Sequence, residues 1–326
     1  MNSPFPASSS SPGEGKLVVQ LLPHNVSALS TITFQYPLKL ISPSPSSHQK
    51  SVLVFLLTYG GGLVGGDQVH LTIHVKPNAK LSIVTQGHTK IFKSPSRNVI
   101  TRQQLQVTIE PGAAVCLLPD PVQPFEGSVY EQSQVFTIAE SGSLCLLDWV
   151  SAGRSARGEQ WDLTTWGGRN EVWAAGLKPR LLLRDNIVLD GDEGNGYGKT
   201  LKNKMHNIEL FGTLVLRGPL IDALAAFFIA EFAVLPRLKA QDFRSQERIE
   251  KDSKIILSRE ELWRQSRLLQ EKESGLLWSA AKVRDCTVVK FGCRTVEGGR
   301  TWIGSMIKEE GSIEKNFGEN ALMCIK

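Results

Sequence analysis

This 326-residue chain lacks any C-x-x-C pair; its five cysteines (Cys116, Cys145, Cys286, Cys293 and Cys324) are scattered and odd in number. That spacing argues against a disulfide framework and a thiolate zinc site. Thiols set in apolar runs, as Cys116, Cys145 and Cys286 are, act as small hydrophobes and suit a reducing compartment. Long hydrophobic runs are lacking too. The longest, 220–235, is interrupted by Asp222 and Glu231 and falls short of the about 20 residues that a membrane helix needs. The opening MNSPFPASSSSPGEG has neither the basic start nor the apolar centre of a secretory leader, so a cytoplasmic protein without membrane attachment is expected. Charge of one sign is not in excess: 37 Lys and Arg against 32 Asp and Glu give a net charge of +5. The basic residues are not interleaved with aromatics, which argues against nucleic acid as a partner.

What is present is ordinary globular material, 41% apolar and 21% charged, in a chain long enough to bury about 75% of its extended surface. From Lys16 to about Leu189 short alternating runs follow one another: VVQLL, TITFQYPLKLI, SVLVFLL, VHLTIHV, AKLSIVT, LQVTIE, AAVCLLP, QVFTIA and SLCLLDWV. Period-two alternation is the signature of half-buried strands, and PNAK, EPGA and AESGS supply the turn residues between them. Turn-then-strand units recur at PNA, PGA and SGS. The expected fold is mainly β, a stacked β-helix-like or sandwich arrangement of short strands with a few helices.

The expected organisation is a disordered segment 1–14, one β-rich domain 15–307 with a helical insertion at about 219–274, and a polar tail 308–326. Ser42–Lys50 is expected as a polar loop tip. Within the insertion, Pro219, Ile221, Leu224, Ala225, Phe228, Phe232 and Leu235 have the spacing of a buried helix ended by Pro236. The charged stretch 237–274 is expected to be largely helical, with Leu262, Trp263, Leu268 and Leu269 as a weak apolar stripe. Trp278–Lys290 then resumes strand, and Arg300–Met306 opens a last helix or strand.

Two nucleotide motifs are suggested and fail on physical grounds. Gly60, Gly62 and Gly65 match G-x-G-x-x-G after an apolar strand, but the glycines of a dinucleotide site must open a helix whose N-terminus holds the pyrophosphate. Here Val69, Leu71, Ile73 and Val75 alternate with Gln68, His70, Thr72 and His74, so the glycines lead from strand to strand. In GDEGNGYGKT (191–200) the P-loop's first glycine is replaced by Glu193, which would repel phosphate; a loop with no helix after it is expected.

The order GGGLVGGD (60–67), an alternating strand, TQ and TKIFKS (85–94), LPDPVQPFEGSVYEQ (118–132) and LLDWVSAGRSARGEQW (146–161) resembles the urease accessory protein D family, also called UreD or UreH. The likeness runs from about Leu17 to Ile307. It implies a mostly β, helically stacked fold and a urease maturation factor that is not an enzyme. It also implies binding to the urease apoprotein, to a UreF-like accessory protein and through that to a UreG-like GTPase. No tightly bound cofactor is implied; nickel is transient cargo, proposed in this family to pass through an internal channel.

Within the motifs, Asp67, Asp148 and Glu159 are the candidate oxygens for a transient nickel route, since carboxylates hold a borderline metal more loosely than thiolates do. The bland alternative is turn capping by Asp67 and ion pairing of Asp148 and Glu159 with Arg154 or Lys90. Both alternatives stand open on sequence alone. His70 and His74 point the same way about 13 Å apart along one strand, too far for one ion, and are expected to face solvent. His88 is expected to hydrogen-bond locally. No nucleophile lies beside a base in any motif. The rival function is a β-solenoid carbohydrate-binding or hydrolytic domain, with exposed Trp149, Trp161, Trp166 and Trp173 as a sugar platform.

Overall fold

In the computed structural model, which describes residues 11–44, 49–191, 200–235 and 258–326, alternation becomes two facing sheets. The first contains β1 (Glu14–Leu22), β2 (Val26–Phe34), β6 (Gln68–Val75), β9 (Thr101–Ile109), β12 (Val129–Ile138), β14 (Thr165–Ala174) and β15 (Arg180–Asp190). Its order is β15-β14-β12-β9-β6-β1-β2. The second follows the order β17-β18-β16-β13-β10-β7-β4-β3. These are β3 (Leu38–Ile41), β4 (Val52–Thr58), β7 (Lys80–Val84), β10 (Ala114–Leu117), β13 (Ser143–Ser151), β16 (Leu210–Arg217), β17 (Leu277–Val283) and β18 (Cys286–Cys293). A side branch adds β5 (Gly62–Leu63), β8 (Thr89–Ile91) and β11 (Val122–Pro124).

The middle of each sheet is parallel and the margins are antiparallel. The chain climbs as a coil: β6 turns into β7, β9 into β10 and β12 into β13, each pair crossing from one sheet to the other. The three turns are alike, with amides of Ala79, Ala113 and Gly142 donating to the carbonyls of Lys76, Glu110 and Ala139. Proline followed by a positive-φ residue (Pro77-Asn78, Pro111-Gly112) suits the first two. The stacked β expectation is therefore met.

Between the sheets lies one apolar core, including Leu17, Leu71, Ile73, Leu81, Val107, Val115, Phe136 and Leu146. Every residue of β13 is buried, because the other face of the second sheet is also covered. There Cys145, Leu147, Trp149, Leu214 and Leu216 meet a helical layer made of α2 (Asp222–Ala233), α3 (Arg259–Ser274), α4 (Val296–Glu310) and α5 (Ser312–Phe317). All five cysteines are buried free thiols, and burial pushes Cys286 and Cys324 up to about 11. No described helix is long and apolar enough to cross a membrane.

Several expectations need correction. Order begins before residue 14: the Gly13 amide donates to Tyr36 O at 2.7 Å and β1 starts at Glu14; residues 1–10 lie outside the described residues. The loop expected at 42–50 does join two antiparallel strands, with 45–48 outside the described residues. Most of the loop expected at 191–200 (192–199) and Pro236 are likewise outside them. After that loop comes one helical turn, α1 (Leu201–Lys204), capped by Thr200, where no helix was expected.

The helix expected from Pro219 starts at Asp222, and it buries Leu224, Phe228 and Glu231 while Phe232 and Val234 stay exposed; only one face meets the sheet. The stripe expected on α3 holds only in part: Trp263 packs against the helical-layer core, but the deepest positions are charged. Leu262 and Leu269 are 54% and 57% exposed, whereas Arg267 and Glu271 are buried. Charge goes inward because it is paired there: Arg267 and Arg264 reach Glu231 of α2 at 3.0 and 2.6 Å. The tail 308–326 is no polar appendage either. Ile313, Phe317, Leu322 and Ile325 are buried in the helical-layer core, and Cys324 Sγ donates to Thr85 O.

Candidate functional site

The sequence motifs, far apart along the chain, meet in the side branch. Gly62 and Leu63 of β5 pair with Lys90 and Ile91 of β8; β8 pairs with Val122–Pro124 of β11; Val122 of β11 pairs with Val150 of β13. The glycines are required by this convergence. A Cβ on Gly62 would lie 2.7 Å from Lys90 O and 2.6 Å from the Phe92 ring, and Gly66 sits at φ +95°, which side chains avoid. Phe92 packs edge-on against Phe125 with centroids 5.2 Å apart, and the Arg154 guanidinium lies 4.1 Å over the Phe125 ring.

The candidate acids separate into different environments. Asp67 closes its own turn: its Oδ2 accepts from Val64 N at 2.9 Å. Glu159 accepts from Arg154 Nε at 2.8 Å, from Arg154 Nη2 and from the Arg154 amide. Those bonds hold its carboxyl below the usual range despite its burial. It also lines an open cleft of about 470 Å³ with Glu126 and Asp162. These two carboxylates thus take the local bonding that the bland alternative described.

Asp148 does not. It points from β13 into the space between the sheets, 7% exposed, and accepts from Gln132 Nε2 (2.8 Å) and Asn170 Nδ2 (2.6 Å) of the opposite sheet. Neither Arg154 nor Lys90 pairs with it, so that expectation is corrected. Around it, Tyr130 Oη donates to Gln132 Oε1 at 3.1 Å and Gln134 Nε2 to Asn170 Oδ1 at 3.0 Å. Burial pushes the Asp148 carboxyl up; the two amide bonds pull it partly back, Asp185 adds to the rise and Lys290 opposes it.

Asp67, Asp148 and Glu159 are not brought together, and among the described residues no three His, Cys, Asp or Glu side chains cluster as an ion site. A buried polar layer crossing the sandwich is present instead, and sequence reasoning missed most of it. Gln132 and Gln134 share the inward phase of Tyr130, Phe136 and Ile138. Asn170 shares that of Trp166 and Val172. Polar residues in the core phase of a strand were the available signal.

The histidines behave as expected: His70 bonds Gln104 at 3.0 Å and His74 pairs with Glu110. His88, beside Gln123 and Asp120, has its imidazole pushed down chiefly by burial. Asp120 of the LPDP motif, unremarked in sequence, ties the coil to the helical layer. It accepts from Thr85 Oγ1 and Gly87 N at 2.9 Å and meets Arg300 of α4 at 2.9 Å.

Comparison with known proteins settles what this arrangement belongs to. The family model described as UreD urease accessory protein matches residues 11–321. The chain belongs to the UreD urease accessory protein family. A ureD-like urease accessory protein of Schizosaccharomyces pombe is 32% identical over 92% of this chain and 94% of its own. Urease accessory protein 4 of Cryptococcus neoformans is 29% identical over 92% and 90%. Urease accessory protein UreD of Sorangium cellulosum reaches 37% over a shorter span, 60% and 58%.

For a member of the UreD family the sugar-platform alternative also fails on geometry. Trp149, Trp161 and Trp166 are buried; Trp149 and Trp161 donate inward to Pro119 O and Ile208 O. Trp173 is half-buried and bonded to Glu171. Three of these four tryptophan rings are core and the fourth is half-buried, so the four do not form a shared exposed face for a sugar.

Proposed function

We propose that this UreD-family chain is a non-enzymatic scaffold of urease maturation, working in the cytoplasm, that binds the urease apoprotein and a UreF-like accessory protein, and through the latter a UreG-like GTPase. In this reading nickel passes to the urease active site by way of the buried polar layer at Asp148. The supporting observation is the environment of that carboxylate: 7% exposed, held by two side-chain amides and, among the described residues, ion-paired with no cation. A buried carboxylate bonded only by neutral donors keeps most of its attraction for a passing cation, whereas one already neutralised by a guanidinium does not. Oxygen donors favour loose, exchangeable holding of nickel. Asp67 and Glu159 contribute to the same route through their charge, as mouth residues.

The test is urease nickel content, measured by mass spectrometry on complexes recovered with Asp67→Asn, Asp148→Asn or Glu159→Gln protein. Asp148→Asn is expected to leave the complexes intact while urease emerges poor in nickel. Normal nickel loading with intact complexes would remove Asp148 from any transfer role. Purified alone, the chain is expected to hydrolyse neither urea nor GTP; turnover of either would overturn the non-enzymatic assignment.

A further inference from the structure

Asp148 shares its layer with a second carboxylate, and among the described residues the layer holds one cation against the two. Asp185 of β15 accepts from Lys290 Nζ at 2.6 Å and from Thr213 Oγ1 at 3.1 Å, both on the opposite sheet. Thr213 is the register partner of Asp148 on one side and of Lys290 on the other. Asn170, which donates to Asp148, is the register partner of Asp185 on the first sheet. Polar groups therefore run across the sandwich in one row, and exposure rises along it. Asp148 is 7% exposed, the Asp185 side chain 11% and the Lys290 side chain 39%. The row has an inner end at Asp148 and an outer end where the ammonium sits.

We propose that Lys290 is the gating counter-cation of this row: its ammonium occupies, beside Asp185, the position that a divalent metal ion takes on its way to or from Asp148. The inference rests on the metal route proposed above. A lysine suits this role because its ammonium is a hydrated point charge on a flexible stem, able to withdraw to solvent. Its ammonium lies 5.8 Å from the Phe211 ring centroid, at the exposed margin of the row. Two carboxylates in a poorly hydrated layer would hold a dication firmly; one resident positive charge weakens that hold and keeps the ion exchangeable.

The experiment is calorimetric titration of Ni²⁺ alone into the full-length chain at fixed ionic strength, with circular dichroism and thermal midpoint recorded for each variant. Lys290→Met is expected to bind Ni²⁺ about tenfold or more tightly than the unaltered chain, because the opposing charge is gone. Lys290→Arg is expected to restore the original affinity, and Asp185→Asn added to Lys290→Met is expected to remove the gain. If Lys290→Met fails to fold, Lys290→Gln serves in its place. A folded Lys290→Met or Lys290→Gln protein whose Ni²⁺ affinity is unchanged or weaker, or the absence of Ni²⁺ binding in every protein, would overturn the proposal; the pair would then be a structural brace. Failure of the metal route itself reads out separately, as normal urease nickel loading with Asp148→Asn.

Discussion

In the helical layer Glu231, Arg264, Arg267 and Glu271 face one another as alternating charges, whereas between the sheets Asp148 has amides for its nearest partners. Glu231 takes both guanidinium groups, at 2.6 and 3.0 Å. Glu271 takes Arg267 and the indole N–H groups of Trp278 and Trp302. Burial alone would raise the Glu231 carboxyl, but Arg264 and Arg267 more than offset it and hold it below the usual range. The Asp148 carboxyl moves the other way, up, because burial prevails over its two amide bonds. The first region has its charge fully neutralised and locks α2 to α3. The second holds its carboxylate with neutral amides, and the charge opposing it comes from Lys290 farther along the row.

The largest effect is expected where neutralisation is complete. Arg267→Met leaves Glu231 and Glu271 short of a partner in a buried site, and a cost of about 3–5 kcal/mol in urea unfolding is expected. A loss under about 1 kcal/mol would mean that the helical layer tolerates bare charge as the inter-sheet layer does, and the contrast would collapse.

Gly62→Val is expected to cost about 1–3 kcal/mol by forcing β5 away from β8. It is the uncharged control: it disturbs the motif branch through sterics alone, with Cβ 2.7 Å from Lys90 O. Its thermal midpoint should fall equally at all pH values, and a pH-dependent loss would mean that the change also disturbs the nearby Arg154–Glu159 pair.

Glu159→Gln is expected to lose less, about 1 kcal/mol once the exposure of Arg154 is discounted. Its pH dependence sharpens the comparison. The Glu159 carboxyl is held down by Arg154, so its contribution is present above the ordinary carboxylate range and is lost as pH falls through the lowered folded value. Chemical denaturation from pH 7 downward should show the variant and the original chain converging.

Asp148→Asn is expected to change stability least at pH 7, because removing a buried charge offsets the bond lost where the new amide N–H₂ faces the Gln132 or Asn170 donor. A raised folded pKa means that protonation favours the folded state, so the original chain should gain on the variant as pH falls through that value. The two acid-to-amide changes thus predict opposite slopes. Parallel slopes for Glu159→Gln and Asp148→Asn would show that the two carboxylates sit in one kind of environment.

Much of the fold was legible in sequence. Strands such as Gln68–Val75 announced themselves because one face is buried and the other wet, which forces period-two alternation. β13 was legible as an apolar run, but not that helices cover its far side. The Asp148 layer was only partly legible. The motif gave Asp148, while Gln132, Asn170, Asp185, Thr213 and Lys290 come from five strands whose adjacency exists only once the sheets are ordered. The α3 stripe was legible at Trp263 and misread at Leu262 and Leu269, whose helical spacing looks like a core stripe, because nothing local says that Glu231, more than thirty residues earlier, awaits Arg267.

The sequence by itself determined the strands, the turns of the coil, the reduced cysteines and the family, since each depends on local periodicity, turn chemistry or motif order. Tertiary structure alone decided which charges are neutralised and which are left bare. Pairing depends on distances of a few ångströms between residues remote in the chain, and burial, which sets the strength of every such contact, belongs to the assembled layers rather than to any segment.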